Sequence, residues 1–90
     1  MRIGYDPAKR LRTLAERGLD FEDAARVFEG RTYTIPDDRL DYGEERFLTF
    51  GFLDERVIVL VWTSRVDGRR IISMRHANDR ERQRVRRHLD

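Results

Sequence analysis

Two apolar runs near the end of the chain flank a turn signal, and together they leave little room for anything but an antiparallel hairpin. The runs are VIVLVWTSR (57–65) and RIISMRHA (70–77), with Asp67-Gly68 between them. An Asp-Gly pair bounded by β-branched residues is among the strongest short-range signals for a two-residue turn. Side chains alternate between the faces of a strand, so Val57, Val59, Val61, Thr63 and Arg65 point one way. Ile71, Ser73 and Arg75 share a face on the partner strand. Closure at Asp67-Gly68 would bring the polar ends of both strands to the same side. Arg65 and Arg75 would then converge beside hydroxyls, the arrangement a phosphate needs.

The rest of the chain reads as short elements around this hairpin. RIGY (2–5) is a short edge strand. Asp6-Pro7 supplies a helix N-cap followed by proline at the first helical position, and Gly18 closes the helix. Ala8, Leu11, Leu14 and Ala15 recur at helical spacing as one apolar stripe. Asp20 opens a second helix, with Asp23 in a capping-box position, Phe21, Ala24, Val27 and Phe28 facing inward, and Gly30 as its stop. Thr32 to Ile35 is a strand ended by Pro36, and residues 37–45 form an acidic loop turning at Gly43. Arg46 to Phe52 is the next strand, joined through 53–56 to the hairpin. Asn78 caps a last helix over NDRERQRVRRHLD, with Glu81 completing its capping box and Val85 and Leu89 as its apolar pair. The predicted fold is α+β in the order β-α-α-β-β-β-β-α. An N-terminal αα-hairpin and a C-terminal helix pack on a mostly antiparallel four-stranded sheet, as a single domain over 1–90.

Composition narrows the partners. Residues 1–55 carry nine bases against thirteen acids, whereas residues 56–90 carry ten bases, all arginine, against four acids. A basic half built from arginine points to an anionic partner bound by bidentate contacts, although a solvated arginine-rich face gives the same counts. No cysteine is present, which fits a reducing compartment. No apolar stretch approaches the roughly 20 residues of a membrane span and no signal-peptide pattern opens the chain, so a cytoplasmic location is expected. His76 and His88 lie on different elements without metal-ligand spacing, and no glycine-rich phosphate loop appears. No metal or other cofactor is therefore expected. Tyr33, Tyr42, Phe47, Phe50, Phe52 and Trp62 read mainly as core, with Trp62 alongside Ile58 and Leu60 on the face toward the helices.

The ordered set YDPAK, GLDFEDAARVF, TIPD, DYGEERF, VWTSR and RIISMRHA resembles the BrnT family of bacterial toxins over nearly the whole chain. That resemblance implies a RelE-like ribonuclease fold and a type II toxin that cleaves RNA and inhibits translation. It also implies a BrnA-like antitoxin of ribbon-helix-helix type, forming a heterotetramer that touches operator DNA only through the antitoxin. Asp6 and Lys9 match the family's opening, Glu44, Glu45 and Arg46 its GEER piece, Thr63 and Arg65 its T-x-R ending, and Arg70, Ser73 and Arg75 its last strand. Glu16-Arg17-Gly18 departs from a common Lys-His-Gly, Thr13 from an asparagine, Tyr5 from a tryptophan and Trp62 from a tyrosine.

RNA cleavage without a metal uses the adjacent 2′-hydroxyl as nucleophile, so the protein supplies a base, an acid and charge stabilisation. Arg65 and Arg75, followed by Arg46, are the expected phosphate stabilisers. Glu45, Lys9 and His76 are the candidates for proton transfer, and Thr63, Ser73 and Arg70 for RNA contact. The alternative is a noncatalytic module that binds RNA or a protein through the same basic sheet.

Overall fold

Strand-forming residues dominate the second half of the chain, and two short strands from the first half join them in one sheet. The computed structural model describes residues 2–89; Asp90, the last residue of the predicted terminal helix, lies outside them. The elements are β1 (Arg2–Gly4), α1 (Pro7–Arg17), a 3-10 turn (Phe21–Asp23) leading into α2 (Ala24–Glu29), β2 (Thr32–Pro36), β3 (Phe47–Leu53), β4 (Arg56–Arg65), β5 (Gly68–His76) and α3 (Asp79–Leu89). The expected element order holds. The sheet, however, has five strands in the order β1-β5-β4-β3-β2, and it is mixed, because β1 runs parallel to β5.

The caps predicted at Asp6, Gly18 and Asp20 are formed. Asp6 accepts the Ala8 N–H at 3.0 Å, and Gly18, at φ 69°, donates its own N–H to the Leu14 carbonyl. Asp20 accepts from Glu22 N–H, and its carboxylate also takes Nε and Nη2 of Arg10 at 2.7 and 3.0 Å. Asp23 makes no side-chain cap bond, and the second helix starts as a 3-10 turn instead.

Two apolar clusters lie on opposite faces of the sheet. On one, Phe21, Ala24 and Val27 pack on Ile58, Leu60, Trp62, Ile71 and Met74, as the alternation through Trp62 predicts. On the other, Val85 and Leu89 of α3 cover Phe50, Val59 and Ala77. The stripe read along α1 does not join either cluster. Leu11 and Leu14 are 64% and 41% exposed, and no described residue of α1 is buried. The helix instead uses its polar side: Lys9 Nζ donates to the Ile72 carbonyl (3.3 Å) and Arg17 Nη1 to the Met74 carbonyl (3.0 Å). These two cations satisfy carbonyls on the part of β5 that the three residues of β1 do not reach.

The β4–β5 hairpin departs from its predicted register in two ways. The turn residues are Val66 and Asp67, and Gly68 already pairs with Arg65. Gly68 serves a different purpose from the turn, since a Cβ there would lie 2.0 Å from the Arg2 carbonyl oxygen. Only glycine lets β1 approach. Further along, Val61 faces Ser73 while Trp62 faces Ile71, so Ile72 is an extra residue in β5. This bulge reverses the alternation. Ile71 turns into the core with Met74, away from Ser73 and Arg75, whose shared face it was expected to occupy.

Candidate nucleic-acid face of the sheet

Register assigns the side chains of the α3 face in rows, because residues directly opposite in neighbouring strands share a face. One row runs Ile35, Leu48, Val61, Ser73, and the next toward α3 runs Tyr33, Phe50, Val59, Arg75. On the other side, Thr63 is opposite Arg70. The ladder extends one step past β2 and β3 through the bond from Asp37 N–H to the Arg46 carbonyl (2.8 Å), which brings Arg46 alongside Thr63. The result is a polar row of Asp37, Arg46, Thr63 and Arg70. Without the extra residue at Ile72, Arg70 and Arg75 would have opposite orientations; with it, both join this face.

Arg65 and Arg75 do not converge. They share a face, but Arg75 is opposite Val59, six residues from Arg65 along β4, or about 20 Å at strand rise. Arg75 is engaged by Glu81 through two bonds, Nη1 to Oε1 at 2.7 Å and Nη2 to Oε2 at 2.8 Å. Glu81 also accepts the Asn78 N–H while Asn78 accepts the Glu81 N–H, so the predicted capping box is complete. The Arg75 guanidinium holds the Glu81 carboxyl below its usual range, and Glu81 in turn raises Arg75.

The arginine that does meet Arg65 is Arg46. Glu44 bridges them, with Oε2 at 3.2 Å from Arg65 Nη1 and Oε1 at 3.6 Å from Arg46 Nη2. Arg46 also lies over the Tyr42 ring at 4.1 Å, and its buried Nε has no partner among the described residues. The loop is tied down from below by Thr63 Oγ1, which donates to the Glu45 carbonyl at 2.7 Å. At its other end the buried Asp37 carboxylate receives Nε and Nη2 of Arg39 at 2.7 and 2.9 Å. Arg39 keeps Asp37 below the usual carboxylate range against the opposing push of burial. It also lies near enough to Arg75 to oppose the rise in that residue's pKa.

The proton-transfer candidates separate. Glu45 is exposed beside the polar row, and Lys9 reaches over the edge of β5 to Ile72, in a cleft it shares with Ser73. His76 is opposite Ile58, at the far end of the sheet from Arg65 and on the other face from Arg75. Burial, and then Arg56, push its pKa down, and its Nδ1 has no partner among the described residues. His88 stacks on Tyr33, ring centroids 3.9 Å apart. Among the described residues, no three His, Asp or Glu side chains gather as a metal-ligand cluster.

Sequence reasoning missed Arg39, Tyr42 and the bridging role of Glu44. All three sit in a loop whose path has no periodicity to read, and only the acidic-basic mixture of 37–46 hinted at them. Fold and site together define a small α+β protein whose sheet carries Arg46, Thr63 and Arg70 in one row, with the Thr63 hydroxyl buried against the Glu45 carbonyl. The family is more specific. The model of the ribonuclease toxin BrnT, of type II toxin–antitoxin systems, matches residues 5–81, and the chain belongs to that family. A search of curated proteins finds no match.

Proposed function

We propose that residues 1–90 form a single RelE-like toxin domain, an endoribonuclease that cuts RNA laid across the row of Arg46, Thr63 and Arg70 beside Arg65. The 2′-oxygen attacks the neighbouring phosphorus, a base takes the 2′-hydroxyl proton, and an acid protonates the departing 5′-oxygen. A 2′,3′-cyclic phosphate remains, and no metal is needed for the balance. What supports this reading above all is the shared carboxylate: Glu44 occupies two guanidiniums as a phosphate would. An incoming phosphate competes for both arginines and releases Glu44, which with its neighbour Glu45 becomes the candidate base. Lys9, reaching over the edge of β5 toward Ser73, is the candidate acid.

Two guanidiniums aimed at the phosphate oxygens stabilise the extra charge of the pentacoordinate transition state, an effect worth roughly a hundredfold or more per donor. Arg75 keeps a supporting role on this face by anchoring α3. In the cell, cytoplasmic cleavage of mRNA would halt translation until a BrnA-like ribbon-helix-helix antitoxin sequesters the toxin in a heterotetramer, the antitoxin alone contacting operator DNA.

Cleavage of a labelled RNA by the purified chain tests the reading. Arg46→Ala and Arg65→Ala should each lower the rate about a hundredfold or more while circular dichroism stays that of the parent, and deoxy substitution at the scissile nucleotide should block the cut. Parent-like rates in both variants would remove the assignment. A noncatalytic RNA-binding module is the second reading. It is favoured by His76 lying at the far end of the sheet, and it predicts that the variants change affinity while RNA stays intact.

A further inference from the structure

We propose that the end of the sheet at the β4–β5 turn is a second phosphate subsite, which holds a non-scissile phosphate of the same single-stranded RNA. It rests on RNA being the ligand of the polar row. A cavity of about 430 Å³ opens here, lined by Arg2, Arg65, Arg69 and Arg70 and by one carboxylate, Asp67.

The fold assembles this cluster from residues with no local reason to meet. Arg69 and Arg70 alternate to opposite faces of β5 and so flank the sheet end from both sides. Arg2 arrives by parallel pairing with Gly68, which is possible only because Gly68 has no Cβ to strike the Arg2 backbone. The orientation of Arg69 is fixed: its guanidinium carbon stacks 4.1 Å from the Phe28 ring centre and 4.7 Å from that of Trp62. Neither Arg69 nor Arg70 joins any ion pair among the described residues. Asp67 meets Arg2 at 3.3 Å in an exposed pair, the kind that contributes little.

Of the four cations, Arg65 is paired with Glu44 and Arg2 with Asp67, which leaves the charges of Arg69 and Arg70 for a bound anion to take up. A polynucleotide fits better than an isolated anion because the cavity is continuous with the polar row. Arg65 and Arg70 border both, so a strand crossing Arg46 and Thr63 runs directly into it. Single-stranded RNA bound this way releases counterions at each phosphate it contacts, which gives affinity a defined salt slope.

The experiment is fluorescence anisotropy with 2′-O-methyl oligonucleotides, which bind but lack the nucleophile, titrated across a salt series. Arg2→Gln should weaken a decanucleotide several-fold and reduce the magnitude of its log–log salt slope by about 0.7, while a trinucleotide loses little. Asp67→Asn should tighten decanucleotide binding, a gain that a misfolded variant would not produce. Gly68→Ala should resemble Arg2→Gln by displacing β1. Equal slopes in Arg2→Gln and the parent, or competition by inorganic phosphate independent of oligonucleotide length, would overturn the subsite. The probe is uncleavable, so intact RNA in a nuclease assay would cost only the catalytic reading, whereas cleavage with unchanged slopes would cost only the subsite.

Discussion

Replacing Arg75 with alanine separates a structural arginine from a catalytic one. Its two bonds to Glu81 are short and charge-assisted, and the side chains are 31% and 20% exposed, between the buried and surface regimes. A surface pair is worth under about 1 kcal/mol, and breaking a buried one costs about 3–5. The loss here should fall between, at about 2–3 kcal/mol, with the Glu81 carboxylate left to find water. For a chain of this size each kcal/mol moves the melting temperature by about 4–8 °C, so Arg75→Ala should melt about 10–20 °C lower. The assay is thermal denaturation by circular dichroism, with Glu81→Gln and the double variant completing a cycle. A coupling of about 1–3 kcal/mol is expected, because both residues act through one contact. At a temperature where the variant is still folded, RNA cleavage should persist. A variant that melts with the parent yet cleaves nothing would refute the reasoning and move Arg75 back to the reacting phosphate.

Glu55 and Asp54 form the β3–β4 turn at φ 68° and 49°, a left-handed conformation that costs a side chain about 1 kcal/mol or more. Glu55→Gly should therefore raise the melting temperature by several degrees, and Glu55→Pro should lower it. Leu11→Ser and Leu14→Ser should each change stability by less than about 0.5–1 kcal/mol in urea titrations, since neither side chain is buried. Acid should unfold the protein through its depressed carboxyls. Asp20, Asp37 and Glu81 all titrate below their ordinary values, so the stability they contribute is complete above about pH 4.5 and declines as pH falls through their folded-state values. Glu81→Gln should flatten that decline; an unchanged acid limb would assign it to other groups.

Local chemistry carried much of the fold. Asp6, Pro7 and Gly18 bound α1, Asn78 and Glu81 form their capping box, and the alternation through Ile58, Leu60 and Trp62 finds the core face. Each of these depends on neighbours within a few residues, so the sequence displays it directly. Apolar periodicity misled along α1, where Leu11 and Leu14 lie at helical spacing yet stay exposed, because the polar side of that helix has carbonyls of β5 to satisfy. The candidate site was legible as a set of residue types, arginines with hydroxyls on adjacent strands, but its pairing was not.

By itself the chain determined the order of elements, the identities of the caps and the basic character of its last third, all set by short-range stereochemistry and composition. The tertiary structure decided which arginines meet. One inserted residue at Ile72 reverses strand alternation, a two-residue turn closes one position early, and a parallel edge strand comes in over Gly68. Each choice depends on contacts between segments far apart in sequence. In a strand a shift of one residue moves a side chain to the opposite face, so small differences in register settled the placement of Arg70, Ile71 and Arg75.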